Sequence, residues 1–426
     1  MIINRLVPPL INAPSVVEGI EPTLLQTGSG AKVHVYQNTV QPVVRVEFVF
    51  KAGKWYQPKA AVASLTAKML KEGTATHTAK GIADFIDFYG ASLEVTHGFD
   101  RSTVTLYCLS KYLPALLPLA FELILSPSFP EEEFELTKKR IAQSLTVDKQ
   151  KNSYIATEHF TTTIYGKGHP YATFISEEEI EKVCLQDVKD FHKSSYSFSE
   201  AEVFICGDIG SGDLELILKK LEVDSFPFSA APYSSPFKSE SNPAYLKVSS
   251  SNQMQAAVRV GKVSISPQSE YYSALFFLNH VLGGYFGSRL MTNIREDKGF
   301  TYGIHSSISA KEHSTLFSIG TDIKGDKIEE TLKEIEAELQ QLIEASLTEE
   351  ELETVKKHIL GKFLNDQSTV FDKMDRYKQN ILLGLPSDSL TILSRNIEEM
   401  SIDELSKVAA NYLKPDSMYR IVVGGV

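Results

Sequence analysis

Ten histidines are the chain's first candidates for chemistry, because two imidazoles three or four residues apart on one helix face can hold a metal ion. They stand at positions 34, 77, 97, 159, 169, 192, 280, 305, 313 and 358, and no two of them have that spacing. The three cysteines, Cys108, Cys184 and Cys206, are odd in number and widely spaced in apolar runs. They read as reduced thiols rather than as a disulfide framework or a metal cluster. His169-Pro170-Tyr171 has no Ser or Cys nucleophile signature beside it, and is expected to be a packed loop. Gly283-Gly284 with Gly287 matches neither a phosphate-binding P-loop nor a dinucleotide fingerprint, so a turn next to a helix is expected there.

The elements around these residues repeat. Glu131-Glu132-Glu133-Phe134-Glu135-Leu136-Thr137-Lys138-Lys139-Arg140-Ile141 recurs as Glu349-Glu350-Glu351-Leu352-Glu353-Thr354-Val355-Lys356-Lys357-His358-Ile359, with seven of eleven positions identical. Upstream of each copy the same order of patterns appears. An alternating stretch (43–50; 257–265) leads into a helix (61–71; 271–282), then two strand signals (92–96 and 102–109; 303–309 and 315–321) and a long helix (113–125; 327–345). This predicts an α+β fold of two duplicated domains, each a mostly antiparallel sheet with helices packed on one face. The Ser-, Pro- and Ala-rich stretch after residue 225 is the natural linker, so the expected divisions are 1–230, a linker over 231–245, and 246–426. Thr348 with Glu351, and Ser176 with Glu179, have the form of capping boxes.

At 426 residues with a net charge of −11, the chain is a globular protein with no concentrated basic face. The longest cationic run is Lys138-Lys139-Arg140, and a nucleic-acid surface is not expected. No run of apolar residues is long enough to span a membrane, and residues 1–14 lack the core of a secretory signal. A cytoplasmic location is therefore expected.

The segment Gly53 to Thr74, GKWYQPKAAVASLTAKMLKEGT, closely resembles the opening helix of the insulinase (pitrilysin) family of zinc peptidases. In that family a helix bearing H-x-x-E-H is followed by Met-Leu-x-x-Gly-Thr, and Met69-Leu70-Lys71-Glu72-Gly73-Thr74 sets the register without gaps. The ligand histidines then fall on Ser64 and Lys68, and the catalytic glutamate on Ala67. Ser64 is a poor zinc ligand, Lys68 brings a positive charge, and Ala67 cannot take a proton. The family's third ligand, a glutamate, should fall near 140–147, yet residues 141–147 contain no acid.

The resemblance extends over nearly the whole chain. It includes Tyr165-Gly166 with His169-Pro170-Tyr171, Gly207-Asp208, and Ile294-Arg295-Glu296-Asp297-Lys298-Gly299-Phe300-Thr301-Tyr302. The last is similar to the family's Arg-Glu-x-x-Gly-Leu-x-Tyr element, whose Arg and Tyr bind the substrate carbonyl and stabilise the oxyanion. On its own, Arg295 would be read as pairing with Glu296 or Asp297 and Tyr302 as packing at a strand start. The resemblance implies instead a fold of the mitochondrial processing peptidase type. It further implies a non-catalytic subunit with no cofactor of its own, completing the site of a homologous H-x-x-E-H partner that holds the zinc. The substrate would be an unfolded peptide, and the isolated chain could pair with itself as a homodimer. The alternative is an inactive scaffold or peptide-binding protein of the same fold.

Overall fold

The computed structural model describes residues 17–222, 226–234, 243–344 and 347–425. Part of the expected linker, 235–242, and residues 1–14 lie outside them. The alternating stretches form two sheets. The first contains β1 (Thr23–Gln26), β2 (Lys32–Gln37), β3 (Val43–Phe50), β4 (Ser92–His97), β5 (Ser102–Leu109) and β6 (Glu202–Gly207), in the order β1-β2-β6-β3-β5-β4. The second contains β7 (Tyr245–Val248), β8 (Gln255–Ser264), β9 (Thr301–Ala310), β10 (Thr315–Lys324) and β11 (Tyr419–Val423), in the order β7-β11-β8-β10-β9.

Without β1 the two orders coincide, and the single parallel pair, β2 with β6 or β7 with β11, falls at the same place in each. The duplication read from sequence is thus a duplication of topology. Register follows the apolar alternation: Val44, Val46 and Phe48 of β3 stand opposite Cys108, Leu106 and Val104 of β5, and all six are buried. Helices Val62–Met69 and Leu113–Leu125 cover this face, and helices Tyr272–Gly283 and Ile328–Glu344 cover the matching face of the second sheet. The fold is α+β, as expected.

The opposite faces are covered by exchange between the halves. Helix Asn152–Tyr165, from the first half of the chain, lays Ala156, Phe160 and Ile164 against Ala257, Leu316 and Ile421 of the second sheet. Helix Val370–Leu382 returns the contact, setting Met374 and Tyr377 against Val49, Phe204 and Cys206 of the first. Val17 also packs in the second half's core. Packing therefore crosses the linker expected over 231–245 in three places, because each sheet has a second apolar face that its own helices leave uncovered. The turns between β4 and β5 and between β9 and β10 also dock: Arg101 grips Glu312 through two hydrogen bonds of 2.6 and 2.9 Å, and Tyr171 donates to Asp100 at 2.7 Å.

The two capping motifs differ. Ser176 and Glu179 form the full reciprocal box. Thr348 accepts the Glu351 N–H at 3.1 Å, but the Glu351 carboxylate turns away to a bidentate pair with Arg289 at 2.8 and 2.7 Å. The stronger charge-assisted partner wins the carboxylate.

Candidate functional site

The chain enters helix Val62–Met69 through Ala61, a left-handed residue at φ 69°, with no side-chain cap. Val62, Ala63, Leu65, Thr66, Ala67 and Met69 are buried, so Ser64 and Lys68, one turn apart, are left on the open face. Both line a cleft of about 670 Å³. Arg140 and Ser144 approach from helix Glu131–Asp148, and Lys54 and His97 from the strand side. Ala67 is 1% exposed and does not line the cleft.

The donor set does not fit zinc. A hydroxyl and an ammonium occupy the helix positions, and an arginine faces them. Asp148, just past the acid-free stretch, reaches the cleft, but its carboxylate is held by Lys151 at 2.8 Å. Burial, Lys54 and Lys68 all hold the His97 imidazole below its ordinary pKa. Among the described residues no three His, Cys, Asp or Glu side chains gather as metal ligands.

Arg295 and Tyr302 are brought together on a different surface; neither lines that cleft. Arg295 sits in a π-helical turn, Met291–Asp297, a wide turn that recurs at functional sites. Gly299, at φ 63°, reverses the chain so that β9 starts beside that turn. Arg295 Nε then donates to the Tyr302 carbonyl at 3.0 Å, and its guanidinium lies 4.7 Å from the Phe286 ring centre. Glu296 stands 3.7 Å from Nη1, a long and weak contact.

The β9–β10 register slips between Thr321 and Ile323, which places a bulge at Tyr302 and Gly303. Hydroxyls hold the bulge in shape. Thr301 donates to the Asp322 carbonyl at 2.7 Å and accepts the Gly303 N–H at 3.1 Å, while Thr321 donates to the Gly303 carbonyl at 2.9 Å. Bulges re-aim a side chain, and here the Tyr302 side chain stands clear of the protein, with the residue 97% exposed. Tyr302 is thus not packed at the strand start, contrary to the plain reading of an isolated tyrosine. Phe286, 61% exposed beneath Arg295, escaped the sequence reading although it sits inside the noted glycine run.

The remaining sequence candidates are structural. His169 is buried, stacked 4.9 Å from Tyr165, and accepts the Tyr171 N–H at 3.0 Å. Burial and the charges of Lys311 and His313 push its pKa down to about 4. A Cβ on Gly283 would lie 2.5 Å from the Ser306 nitrogen, so the glycine serves close packing of helix on β9 rather than phosphate binding. Cys108 and Cys206 are buried free thiols, pushed up to about 12 by burial.

Two family models match in tandem: "Insulinase (Peptidase family M16)" over residues 32–175 and "Peptidase M16 inactive domain" over residues 182–359. A "Non-peptidase homolog YmxG" from Helicobacter pylori is 27% identical over 391 residues, covering 88% of each chain. An "Uncharacterized zinc protease YmxG" from Bacillus subtilis is 21% identical over 353 residues, covering 82% of this chain and 84% of that protein. The crystal structure of a peptidase M16 inactive domain from Pseudomonas fluorescens superposes with a TM-score of 0.85 at 24% identity, covering 95% of this chain and 98% of that one. With no H-x-x-E-H sequence anywhere in it, the chain belongs to the insulinase family, M16, as a member without the zinc-binding motif.

Proposed function

We propose that this chain is the non-catalytic subunit of a two-chain zinc peptidase, and that it completes the active site of a homologous partner bearing H-x-x-E-H. One observation carries the reading: Arg295 and Tyr302 form a built donor pair that takes no part in lining the chain's own degenerate cleft. A bulge, a π-helical turn and three hydroxyl contacts shape a strand start whose tyrosine packs against nothing. A guanidinium and a phenol at such a site are donors suited to a peptide carbonyl as it gains negative charge. The partner supplies the metal and the attacking water; this chain holds the carbonyl oxygen and positions the unfolded peptide.

Reconstitution tests the proposal. The pure chain is expected to cleave no peptide, and to restore hydrolysis when mixed with the H-x-x-E-H subunit from the same genome. A zinc subunit that works at full rate without this chain would leave the alternative, a scaffold of the same fold.

A further inference from the structure

The cleft beside Ser64 and Lys68 has changed its electrostatic sign relative to a metal site. A zinc centre gathers neutral imidazoles and carboxylates around a cation. Here Lys54, Lys68, Arg140 and Lys167 line the space, and none of them forms an ion pair with a described residue. The other charged groups of the lining are already engaged. Lys59 holds Asp187 at 2.7 Å, Asp148 holds Lys151 at 2.8 Å, and Glu179 caps its helix by accepting the Ser176 N–H at 2.8 Å. Four cations thus share one concavity with two lining carboxylates, Asp148, held by Lys151, and Glu179, turned to its helix start, while Glu72 reaches Arg140 electrostatically from outside the lining.

Burial sharpens the imbalance. The Lys54 ammonium lies 5.1 Å from the Phe99 ring centre, and its pKa is lowered by burial. Lys54 and Lys68 are close enough to His97 to depress it together. The walls are not purely polar: Trp55, Tyr154, Phe174 and Tyr233 supply aromatic surface. Trp55 is fixed there by stacking on His313 at 3.9 Å. At about 670 Å³ the cleft is of the size that encloses an organic ligand, well beyond a lone inorganic ion. It asks for a body with apolar groups and one negatively charged oxygen group.

We infer that the degenerate zinc cleft is a carboxylate-binding subsite, in which Lys68, Arg140 and Lys54 hold an anionic group of a peptide while the aromatic wall covers its side chains. The choice of a peptide over another carboxylate rests on the peptidase-subunit reading above. Binding itself needs no partner chain, so it is measured on this chain alone.

The test uses the chain's one tryptophan, Trp55, which stands in the cleft wall and reports occupancy by its fluorescence. An acid-free peptide of about ten residues is titrated with a free C-terminus, with an amidated C-terminus, and amidated with one internal glutamate. The free-acid form is expected to bind at least about ten-fold more tightly than the plain amide, as for loss of a charge-assisted contact. Lys68→Met and Arg140→Gln, both at exposed positions, should each weaken the free acid about ten-fold and leave the melting temperature and the amide's affinity unchanged. If the internal glutamate restores affinity, the subsite accepts side-chain carboxylates; if not, it reads the chain terminus; both results sustain it. Equal binding of all three peptides, indifference to both substitutions, or no binding by fluorescence and calorimetry would overturn it. None of those outcomes touches the Arg295 and Tyr302 proposal, which is read from reconstituted hydrolysis.

Discussion

Arg295 has two duties in the geometry seen here, and they can be separated. Its Nε holds the Tyr302 carbonyl, and its remaining donors have only the long Glu296 contact among the described residues. In the reconstituted peptidase, Arg295→Ala should lower kcat by about 10²–10³-fold, the cost of an oxyanion donor, with KM changed far less. Arg295→Lys keeps the charge but loses the directed Nε contact, so it should fall between the two. Tyr302→Phe removes only a hydroxyl from an exposed ring and should lower kcat with no change in melting temperature. Steady-state kinetics of the three mixtures check this, and unchanged kcat in all of them would sink the subunit proposal. The family resemblance singled out these two residues because their spacing lies within one continuous motif. Phe286 and Lys54 were invisible for the opposite reason: they reach their sites from separate elements, and nothing in their local spacing marks them; Arg140 was read only as part of a cationic run, with nothing local to say that it reaches the cleft.

At the level of elements, the tyrosine is aimed by a bulge, and the bulge depends on buried hydroxyls. Thr321 is 3% exposed and donates to the Gly303 carbonyl. Thr321→Val keeps the shape but removes one of the two hydroxyls within reach of that carbonyl, Thr301 being the other at 2.9 Å, and should cost about 1 kcal/mol in denaturant unfolding. It should also slow the reconstituted enzyme while Arg295 and Tyr302 remain present; a variant of full stability and full rate would refute the argument. The strands themselves were legible. Strands β3 and β5 were readable to the residue, because one face of each meets a helix layer and alternation registers that directly. The bulge was not readable, since Thr301-Tyr302-Gly303 only hints at it through its glycine. Nor was the role of helix Asn152–Tyr165. Its sequence, NSYIATEHFTTTIY, shows a weak apolar stripe, and no local pattern can say that the stripe meets the other half's sheet. The Thr348 motif shows the same limit, because Arg289, which claims Glu351, lies about sixty residues away in sequence.

For the whole molecule, the exchange of helices makes each half part of the other's core, so unfolding should be shared. Phe160→Ala removes a ring that is 2% exposed between helix Asn152–Tyr165 and the second sheet, and should cost about 3–5 kcal/mol. The loss should appear as one earlier transition in calorimetry; two separated transitions would show that the halves melt independently. The same interior sets the acid limit. His169, His192 and His280 are buried and pushed down to about 4, in each case first by desolvation. The unfolded chain titrates these imidazoles near pH 6.5, so between pH 6.5 and 4 it binds protons that the native state refuses. The stability they support is present above pH 6.5 and drains as pH falls toward 4, on the order of 3 kcal/mol for His192 and His280 and less for His169, which solvent partly screens. Asp100 and Glu72 work the other way, since burial raises their pKa and protonation relieves the native state, but His97 and His358 are also lowered, so two groups stand against five. The melting temperature should therefore fall steeply between pH 6.5 and 4.5, before the ordinary carboxylate range is reached. His280→Phe keeps the ring between Phe276 and Tyr285 and removes one of the five titrations. Its profile should be flatter than the parent's below pH 6, and a parallel decline in the two proteins would locate the acid sensitivity elsewhere.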